Sequence, residues 1–479
     1  MVGIKGTGMA ALAEILSSRG ASLTGSDVAD RFYTDEILKR LGISALPFGE
    51  DNVGEGVDLV IHSSAYSAET NGDLAKAKRL GTPTLMYTEA LGEISSSFYS
   101  AGICGVHGKT TTTGMAGTLL SGTDLPAQVL AGSVITSFGG SCVMTTQEFA
   151  AASPDAQRYF VAETCEYKRH FMSFWPRMIV LTSVESDHQD YYPDYESIRS
   201  AFVDYACKLP QGGSLISCAD DAGASEVAHL AKERRDDIAL IPYGLSAQGA
   251  FGVSNVRVAN GWQAFVIDCA GECRLCVPGE HNVKNAAAAF ALVSELLRAD
   301  GKRPSDYTGR LKAALEQFKG AKRRSEVVAR RHNSSGDEVI FIDDYAHHPT
   351  AIRTTLAGFR QFYEGRRIIV DFMSHTFSRT EALFDEFAKS FSDADFVVIN
   401  EIYASARESS SCQHVSGAML AEETKRHNPN TLFAATFSEA ACAVQGELEK
   451  RSEGGYVFVT MGAGDNWKVG SMLLEHFQP

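Results

Sequence analysis

The chain has 479 residues, of which 44% are hydrophobic and 22% are charged, close to globular averages, so fibrous and intrinsically disordered classes are excluded. At roughly 100–200 residues per domain, this length predicts about three domains. The 44 Lys and Arg residues are outnumbered by 59 Asp and Glu residues, and no long basic run offsets the net charge of −15, which argues against a nucleic-acid partner.

The N-terminal residues lack both the basic and the apolar region of a secretory signal, and no later stretch has the roughly 18–20 apolar residues that span a bilayer. We therefore expect a cytoplasmic protein without a membrane span. The ten cysteines are scattered, and reduced thiols are expected. Around Cys269, Cys273 and Cys276 the sequence alternates like a β-hairpin with its turn at Ala270-Gly271, and no second ligand pair has zinc spacing, so no metal is expected there.

Strand-like apolar runs alternate with helical stretches along the chain. LVIHSSA precedes GDLAKAKRLG, and FVVINEIY precedes VSGAMLAEETKRH. This alternation predicts α/β layers with parallel sheets. We place the domain boundaries near Ser95-Ser96-Ser97 and Lys319-Gly320-Ala321, where strands begin after polar or glycine-containing stretches. The predicted domains are 1–97, 98–321 and 322–479.

Three glycines, Gly3, Gly6 and Gly8, precede the helical stretch MAALAEILSSRG. Asp27 follows in LTGSD, about 20 residues on, where a dinucleotide-binding fold keeps its ribose-binding acid. This pattern predicts a Rossmann-like turn with a diphosphate at the helix N-terminus. The glycine order departs from GxGxxG, so on this segment a turn that binds nothing and a nicotinamide enzyme both remain open.

The run GVHGKTTTT lies between the strand-like FYSAGIC and the helical TGMAGTLL. Its glycines let backbone N–H groups surround phosphate oxygens, Lys109 can bridge the β- and γ-phosphates, and the Thr110 hydroxyl can hold Mg²⁺. The spacing is shorter than GxxxxGK[ST], but the combination still predicts ATP or GTP binding. The predicted nucleotide contacts are Gly105, His107, Gly108, Lys109, Thr110 and Thr111.

Two polar clusters follow this loop, each after an apolar strand. The first contains Glu163 and Glu166 in VAETCEYKRHF, and the second contains Asp187 and His188 in LTSVESDHQDYY. A carboxylate and an imidazole at strand ends suit a divalent metal bound to ATP. The alternative is that these side chains are merely solvated.

A helix start follows in PGEHNVKNAAAAFALV, with Asn282 and Asn285 three residues apart on one face. Both amides could contact a ligand on that face. The alternative is an N-cap with an exposed amide.

The last segment contains FIDDYAHHPTAI and FMSHTFSRT. The first stretch is too polar for a packing element, and Pro349 indicates a loop or a helix start. In the second, the Arg379 guanidinium can bind a carboxylate with two parallel hydrogen bonds. The polar residues of the first stretch are Asp343, Asp344, Tyr345, His347 and His348.

Taken together, these stretches resemble the Mur ligase family along essentially the whole chain. The combination of GIKGTGM, DDYAHHPT and HTFSRT is typical of its alanine-adding branch. The resemblance implies a three-domain α/β fold, with a Rossmann-like N-terminal domain for a UDP-sugar, a central P-loop ATPase-type domain with a mostly parallel sheet, and a Rossmann-like C-terminal domain for an amino acid. The motifs that carry the resemblance are GIKGTGMAALAEIL, TGSD, GVHGKTTTT, AETCEYKRHF, DHQDYY, GEHNVKNA, KRR, DDYAHHPT, HTFSRT and EIYASARE.

The resemblance further implies ATP-dependent ligation of L-alanine to UDP-N-acetylmuramate through an acyl phosphate, with Mg²⁺, by a monomer or weak homodimer. It implies catalytic roles for Lys109, Glu163, His188 and Arg379, and Mg²⁺ ligation by Thr110, Glu163 and His188. It places Asn282 and Asn285 at adenine, Arg324 at the γ-phosphate and Asp344 at the ribose. The implied substrate contacts are Gly6, Gly8, Ser26 and Asp27 for the UDP-sugar, and Tyr345, His347, His348, His375 and Arg379 for alanine.

Val106, Ser183 and Ala351 depart from the family pattern, but none replaces a side chain to which we assign chemistry. Three alternatives remain open at this point. The first is a recycling ligase that attaches a whole tripeptide to the same nucleotide sugar. The second is a nicotinamide oxidoreductase, which would leave the GKT loop unexplained, and the third is a nucleotide-binding module without catalysis.

Overall fold

The computed structural model describes residues 1–153, 155–259, 261–403 and 414–478. Within the EIYASARE motif, residues 404–408 lie outside the described residues. None of the helices in the described ranges has the length and apolar character needed to cross a membrane. The chain divides into two compact units: unit 1 is Met1–Val184, Arg199–Phe251 and Ala288–Ala314, and unit 2 is Glu185–Ile198, Gly252–Ala287 and Leu315–Pro479.

Strands and helices alternate along most of the chain. The strands are β1 Val60–His62, β2 Thr84–Met86, β3 Tyr99–Cys104, β4 Ala127–Ile135, β5 Ser141–Thr145, β6 Tyr159–Glu163, β7 Met178–Leu181, β8 Ser214–Cys218, β9 Ala239–Tyr243, β10 Val253–Ala259, β11 Trp262–Ile267, β12 Gly271–Leu275, β13 Glu326–His332, β14 Glu338–Asp344, β15 Arg367–Met373, β16 Phe396–Asn400, β17 Thr431–Ala434 and β18 Tyr456–Gly462.

The α-helices are α1 Thr7–Ser18, α2 Asp35–Arg40, α3 Gly72–Leu80, α4 Tyr87–Ser96, α5 Lys109–Leu120, α6 Gln147–Ala151, α7 Tyr195–Ala206, α8 Ala222–Arg234, α9 Glu280–Ala299, α10 Thr308–Glu316, α11 Pro349–Phe362, α12 Phe377–Ala382, α13 Phe384–Ala388, α14 Gly417–Lys425, α15 Phe437–Leu448 and α16 Trp467–Leu474.

The N-terminal part of unit 1 has Rossmann-like strand order. β1 pairs with β2 in parallel, and isolated parallel bridges join Val2 to His62, Val2 to Ser26, and Ser26 to Leu46. The resulting order, Leu46, Ser26, Val2, β1 and β2, is that of a dinucleotide-binding sheet. The strand order confirms the Rossmann-like N-terminal domain that was expected.

Unit 1 also contains a seven-stranded sheet in the order β5-β4-β6-β3-β7-β8-β9, parallel except for the β4 and β5 pair. β7 and β8 are buried along their whole length, as parallel strands covered on both faces are. Ile103 pairs with Glu163, and Cys104 pairs with Leu181, so the carboxyl ends of β3, β6 and β7 meet at one edge. That edge holds the phosphate loop.

Unit 2 contains a three-stranded antiparallel sheet, β10-β11-β12. β11 and β12 are joined by the turn that the sequence predicts, and the Ala270 N–H donates to the Ile267 carbonyl oxygen at 2.8 Å. Cys273 is buried within β12, and the Cys276 thiol lies 3.0 Å from the Phe318 carbonyl oxygen. The predicted hairpin around the CxxC sequence is therefore confirmed.

The second sheet of unit 2 has the order β13-β14-β18-β15-β16-β17, parallel except for the edge strand β13. Apolar clusters cover both faces. Of the loop and the helix start that Pro349 indicated, the structure has the helix start: α11 begins at Pro349, and His348 is its N-cap. The α/β fold with a mostly parallel central sheet is confirmed, while the bounds of the three domains stay a prediction.

Candidate active site

The loop between β3 and α5 has the backbone that a phosphate-binding turn requires. Gly105 has φ +132° and Gly108 has φ +81°, values that favour glycine. A Cβ atom at Gly105 would lie 2.1 Å from Oγ1 of Thr182, so a side chain does not fit there. α5 begins at Lys109, and the N–H groups of its first turn have no acceptor within the helix. The turn is therefore suited to phosphate oxygens.

Residues that follow β7 hold this loop in place. The Val106 N–H donates to the Ser183 carbonyl oxygen at 3.0 Å, and the His107 N–H donates to the Ser183 hydroxyl at 2.9 Å. The Thr182 hydroxyl donates to the carbonyl oxygens of Cys104 and His107. Ser183, which departs from the family pattern, thus supports the loop directly.

Lys109 is held at the loop by a buried carboxylate. Its Nζ lies 3.1 Å from Oε1 and 3.0 Å from Oε2 of Glu166, and it also donates to the carbonyl oxygens of Gly105 and Val106. Burial alone would lower the pKa of Lys109, but Glu166 raises it above its usual value. The ammonium therefore stays charged beside the phosphate-binding turn.

Glu163 ends β6 next to the phosphate loop. Its Oε2 accepts a hydrogen bond of 2.8 Å from the Gly132 N–H. A Cβ atom at Gly132 would lie 2.4 Å from this oxygen, so the close approach requires glycine. The Thr110 hydroxyl belongs to the first turn of α5 and is buried. Carboxylate and hydroxyl oxygens are ligands that Mg²⁺ accepts, so these two residues of unit 1 fit the expected metal.

Two of the three glycines at the start of α1, Gly3 and Gly8, have neighbours that leave little space. Gly3 has φ +78°, which favours glycine. A Cβ atom at Gly8 would lie 2.8 Å from the Tyr87 ring, whereas one at Gly6 would have an ordinary contact of 3.4 Å. Burial, followed by the Glu163 charge, raises the pKa of Tyr87, so its hydroxyl stays protonated. Gly3 thus suits the backbone of this turn, and Gly8 leaves space for the Tyr87 ring.

Asp27 braces the same turn. Its Oδ2 accepts from the Lys5 N–H at 2.7 Å, and its Oδ1 accepts from the Val28 N–H at 2.7 Å. The neighbouring Ser26 hydroxyl is buried and has no hydrogen-bond partner among the described residues. Ser26 therefore offers an unsatisfied hydroxyl beside the glycine turn.

In unit 2, Asn282 and Asn285 lie in the first two turns of α9. The Asn282 amide donates to the Pro278 carbonyl oxygen at 2.7 Å, and the Asn285 amide donates to Oδ1 of Asn282 at 3.1 Å. Both residues are only 6% exposed, so the alternative with an exposed amide is wrong. Their contact with adenine stays a prediction.

Arg324 and Asp344 lie close together in unit 2, where the Asp344 carboxylate accepts backbone hydrogen bonds. The Asp344 carboxylate accepts from the Ser325 N–H at 2.6 Å and from the Ala346 N–H at 2.8 Å. Burial raises the pKa of Asp344, while the Arg324 charge acts against this rise. The Arg324 guanidinium lies 5.1 Å from the centre of the Tyr345 ring, a cation–π distance. Asp344 thus fixes the turn that carries Arg324.

The Arg379 guanidinium is already paired. Its Nε and Nη2 donate to Oδ1 of Asp187 at 3.1 and 2.8 Å, and its Nη1 lies 3.3 Å from Nδ1 of His375. Arg379 and Asp187 are each about 6% exposed. Although burial opposes ionisation, Arg379 holds the pKa of Asp187 well below its usual range. The predicted carboxylate anchor therefore already holds a carboxylate of its own chain.

A series of aromatic and imidazole rings lies next to the pair of Arg379 and Asp187. The rings of Tyr345 and His347 lie 5.0 Å apart, those of His347 and His375 lie 5.9 Å apart, and Tyr403 stacks on His375 at 5.6 Å. Nδ1 of His347 lies 2.7 Å from the Tyr345 carbonyl oxygen, so Nδ1 carries the proton. Burial, followed by the Arg379 charge, holds the pKa of His347 well below its usual value. His347 is thus neutral, with its lone pair on Nε2.

The other two predicted histidines have different surroundings. His188 has φ +54°, which is uncommon for a residue with a side chain, and its Nε2 lies 3.8 Å from Asp187. His348 is buried, its Nδ1 accepts from the Thr350 N–H at 3.3 Å, and it lies 3.7 Å from Glu185. His348 therefore caps α11, and its place in the alanine pocket stays a prediction.

Three family models together match most of the chain. The Mur ligase family catalytic domain matches residues 1–99, the Mur ligase middle domain matches residues 103–293, and the Mur ligase glutamate ligase domain matches residues 323–464. The UDP-N-acetylmuramate--L-alanine ligase of Treponema pallidum (strain Nichols) is 48% identical over 100% of this chain and 96% of that protein. The chain belongs to the Mur ligase family.

A further relative and two solved structures are also similar to this Mur ligase over nearly the whole chain. The UDP-N-acetylmuramate--L-alanine ligase of Borreliella afzelii is 37% identical over 98% of this chain and 97% of that protein. The crystal structure of UDP-N-acetylmuramate-alanine ligase MurC from Thermotoga maritima has a TM-score of 0.76 and 25% identity, covering 99% of this chain and 97% of that one. A murein peptide ligase from Psychrobacter arcticus, with a TM-score of 0.65 and 20% identity over 99% of this chain and 97% of that one, shares the fold.

The contacts of several side chains at the site of this Mur ligase were not predicted from the sequence. Glu166 and Asp187 stood in the two polar clusters, but their partners, Lys109 and Arg379, are distant along the chain. Tyr403 stacks on His375 and belongs to the EIYASARE motif, to which no site role was given. The signal for Glu166 and Asp187 was their position at strand ends, next to residues that were assigned.

Proposed function

We propose that this Mur ligase joins L-alanine to the carboxylate of UDP-N-acetylmuramate, with ATP as the phosphoryl donor, in peptidoglycan precursor synthesis. The observation that carries the proposal is the GVHGKTTTT loop with its charged Lys109, in a chain matching UDP-N-acetylmuramate--L-alanine ligases over its full length. The products are UDP-N-acetylmuramoyl-L-alanine, ADP and phosphate.

The first step activates the sugar carboxylate. A free carboxylate is a poor electrophile, so one of its oxygens attacks the γ-phosphorus of ATP, and ADP leaves. We assign Lys109 and the turn from Gly105 to Gly108 to the phosphates, since charge develops there in the transition state. The Gly3 to Gly8 turn and the Ser26 hydroxyl would receive the UDP-sugar.

In unit 1, Mg²⁺ would be held by the oxygen atoms of Thr110 and Glu163. Ligation by His188, which belongs to unit 2, stays a prediction from the family resemblance. When bound, the ion supplies positive charge that neutralises phosphate oxygens. Lys109 supplies part of the same charge from the protein itself.

The second step forms the amide. The neutral amine of alanine attacks the acyl phosphate carbon, the C–O bond to phosphate breaks, and phosphate leaves together with the proton that the amine nitrogen loses. We assign the α-carboxylate of alanine to Arg379, whose planar guanidinium can hold and orient it. His347 is neutral and carries a lone pair on Nε2, so it can accept a hydrogen bond from the amine.

An isotope experiment tests the two-step route. UDP-N-acetylmuramate with ¹⁸O in both carboxylate oxygens is converted with L-alanine and ATP, and the released phosphate is analysed by mass spectrometry. An acyl phosphate route predicts one ¹⁸O atom per phosphate. Unlabelled phosphate would contradict the proposed chemistry.

The variant Lys109→Ala tests the role of Lys109. It should slow phosphate release more than about 100-fold, whereas Lys78→Ala, at an exposed lysine, serves as the control.

A further inference from the structure

A buried carboxylate lies in the centre of the six-stranded sheet of unit 2. Asp371 of β15 is fully buried, its Oδ1 accepts from the Asn400 amide at 2.8 Å, and its Oδ2 accepts from the Asn466 amide at 3.2 Å. Burial raises the pKa of Asp371 to about 7, and the two amides act in the opposite direction. An ionisable group in such a core costs stability, so an apolar residue would pack there with less penalty.

The two asparagines connect three strands. The Asn400 amide, at the end of β16, also donates to the Phe372 carbonyl oxygen at 3.2 Å. The Asn466 amide, at the start of α16, donates to the carbonyl oxygens of Asp371 at 3.0 Å and Met461 at 3.1 Å. Asp371 therefore joins the carboxyl ends of β15, β16 and β18.

The segments that leave these strand ends carry the proposed alanine site. The Tyr403 N–H, after β16, donates to the Ser374 carbonyl oxygen at 2.9 Å, and the Thr376 N–H, after β15, donates to the Tyr403 carbonyl oxygen at 3.1 Å. These bonds bring the Tyr403 ring onto the His375 ring, and His375 in turn contacts Arg379. A shift between β15 and β16 would move all of these groups.

The turn after β18 packs on the same segments. A Cβ atom at Gly464 would lie 2.5 Å from Sδ of Met373 and 3.2 Å from Cβ of Tyr403, so the turn leaves no space for a side chain there. Asn466 fixes the end of this turn through Asp371. The network thus sets the distance between the turn and the segment that carries Tyr403.

We propose that Asp371 is a positioning residue for the amino-acid site, which through Asn400 and Asn466 sets the mutual placement of the segments carrying His375, Arg379 and Tyr403. The inference rests on the proposed function, because the site is the one assigned to L-alanine. Hydrogen-bonded polar groups in a core specify one arrangement, whereas apolar packing tolerates several. Asp371 acts on the reaction through these neighbours and has no contact of its own with substrate.

Asp371→Val tests this role. The Michaelis constant for L-alanine should rise at least about 10-fold, while those for ATP and UDP-N-acetylmuramate stay within about 3-fold, since small displacements of positioning groups have large effects. Asp371→Asn should restore the alanine constant, because its amide can donate to Oδ1 of Asn400 or Asn466, neither of which has a partner among the described residues. If Asp371→Val does not fold, Asn400→Ala is judged by the same criterion.

Asn428→Ala is the matched control. Asn428 is a buried asparagine that donates to the carbonyl oxygens of Phe391 and Ala394 at the amino edge of the same sheet, so its loss should lower the unfolding temperature without a selective effect on alanine. An unchanged alanine constant in Asp371→Val, or a parallel rise for all three substrates, would overturn the inference. Wild-type protein without alanine-dependent ADP release would instead refute the proposed function.

Discussion

The Arg379 guanidinium is enclosed by groups of its own chain. Asp187 accepts hydrogen bonds from Nε and Nη2 of Arg379, and Nη1 lies next to Nδ1 of His375. If Arg379 binds the α-carboxylate of alanine as proposed, that carboxylate must replace Asp187 or share the guanidinium with it. Burial opposes the ionisation of Asp187, and Arg379 is the main charge that lowers its pKa, so the pKa of Asp187 would rise if Arg379 turned to another carboxylate. In the proposed site, the ion pair would therefore compete with alanine for Arg379.

Arg379→Ala should raise the Michaelis constant for L-alanine at least about 10-fold more than that for ATP. Alanine has only a methyl group for apolar contact, worth roughly 1 kcal/mol, so its carboxylate must supply most of the binding. Steady-state kinetics with each substrate varied in turn measure the difference. Arg360→Ala, which breaks an Arg–Asp pair with Asp395 elsewhere in unit 2, is the control. Equal changes for all substrates would mean that Arg379 serves only as an ion pair.

Asp371→Asn should change how stability depends on pH. The pKa of Asp371 is raised to about 7 in the folded protein, so its contribution to stability is fully present below about pH 4 and is lost as pH rises to about 7. The asparagine variant lacks this loss. The unfolding free energy of the variant minus that of the wild type should therefore rise by roughly 3 kcal/mol between pH 5 and pH 8. Chemical denaturation at pH 5 and pH 8 measures it, and a difference independent of pH would show that Asp371 does not titrate in this range.

At the scale of elements, the carboxyl ends of parallel strands carry most of the site. In unit 1, the ends of β3, β6 and β7 supply the phosphate loop, Glu163 and Thr182. In unit 2, the ends of β14, β15 and β16 lead to Tyr345, His375 and Tyr403. Parallel sheets place these ends at one edge, which is why polar residues after apolar strands were informative in the sequence.

Gly105→Ala should abolish ATP binding by the loop between β3 and α5. The substitution brings a Cβ atom to 2.1 Å from Oγ1 of Thr182, and the hydroxyl cannot move without losing its bonds to Cys104 and His107. ATP binding, measured by calorimetry, should fall below detection while the sheet stays folded. Gly212→Ala, also at positive φ but with open space around it, should keep ATP binding. Normal ATP affinity in Gly105→Ala would show that this turn does not hold the nucleotide.

The sequence predicted elements where the pattern is periodic and missed them where the backbone is irregular. The helices from Thr7, Lys109 and Pro349 and the hairpin near Cys273 follow from hydrophobic period, glycine and proline. The 3₁₀ segment Tyr167–Ser173, with Lys168 and Arg169 at positive φ, has no such signal, because tertiary contacts impose that conformation.

At the scale of the whole molecule, the important partnerships join distant parts of the sequence. Lys109 pairs with Glu166 across 57 positions, and Arg379 pairs with Asp187 across 192. Residue types at strand ends indicated nucleotide and carboxylate chemistry, and the family resemblance indicated which domain binds which substrate. The partners themselves depend on the packing of strands, which residue spacing does not encode.

The most direct test of the account is ADP release by the purified protein with Mg²⁺ and ATP, measured with and without UDP-N-acetylmuramate and with L-alanine, glycine, L-serine or the recycling tripeptide. Appreciable release should require both the nucleotide sugar and an amino acid, and kcat/KM should be highest for L-alanine, with the ligated product detected by mass spectrometry. Release that is faster with the tripeptide than with L-alanine, or that does not require the nucleotide sugar, would contradict the account.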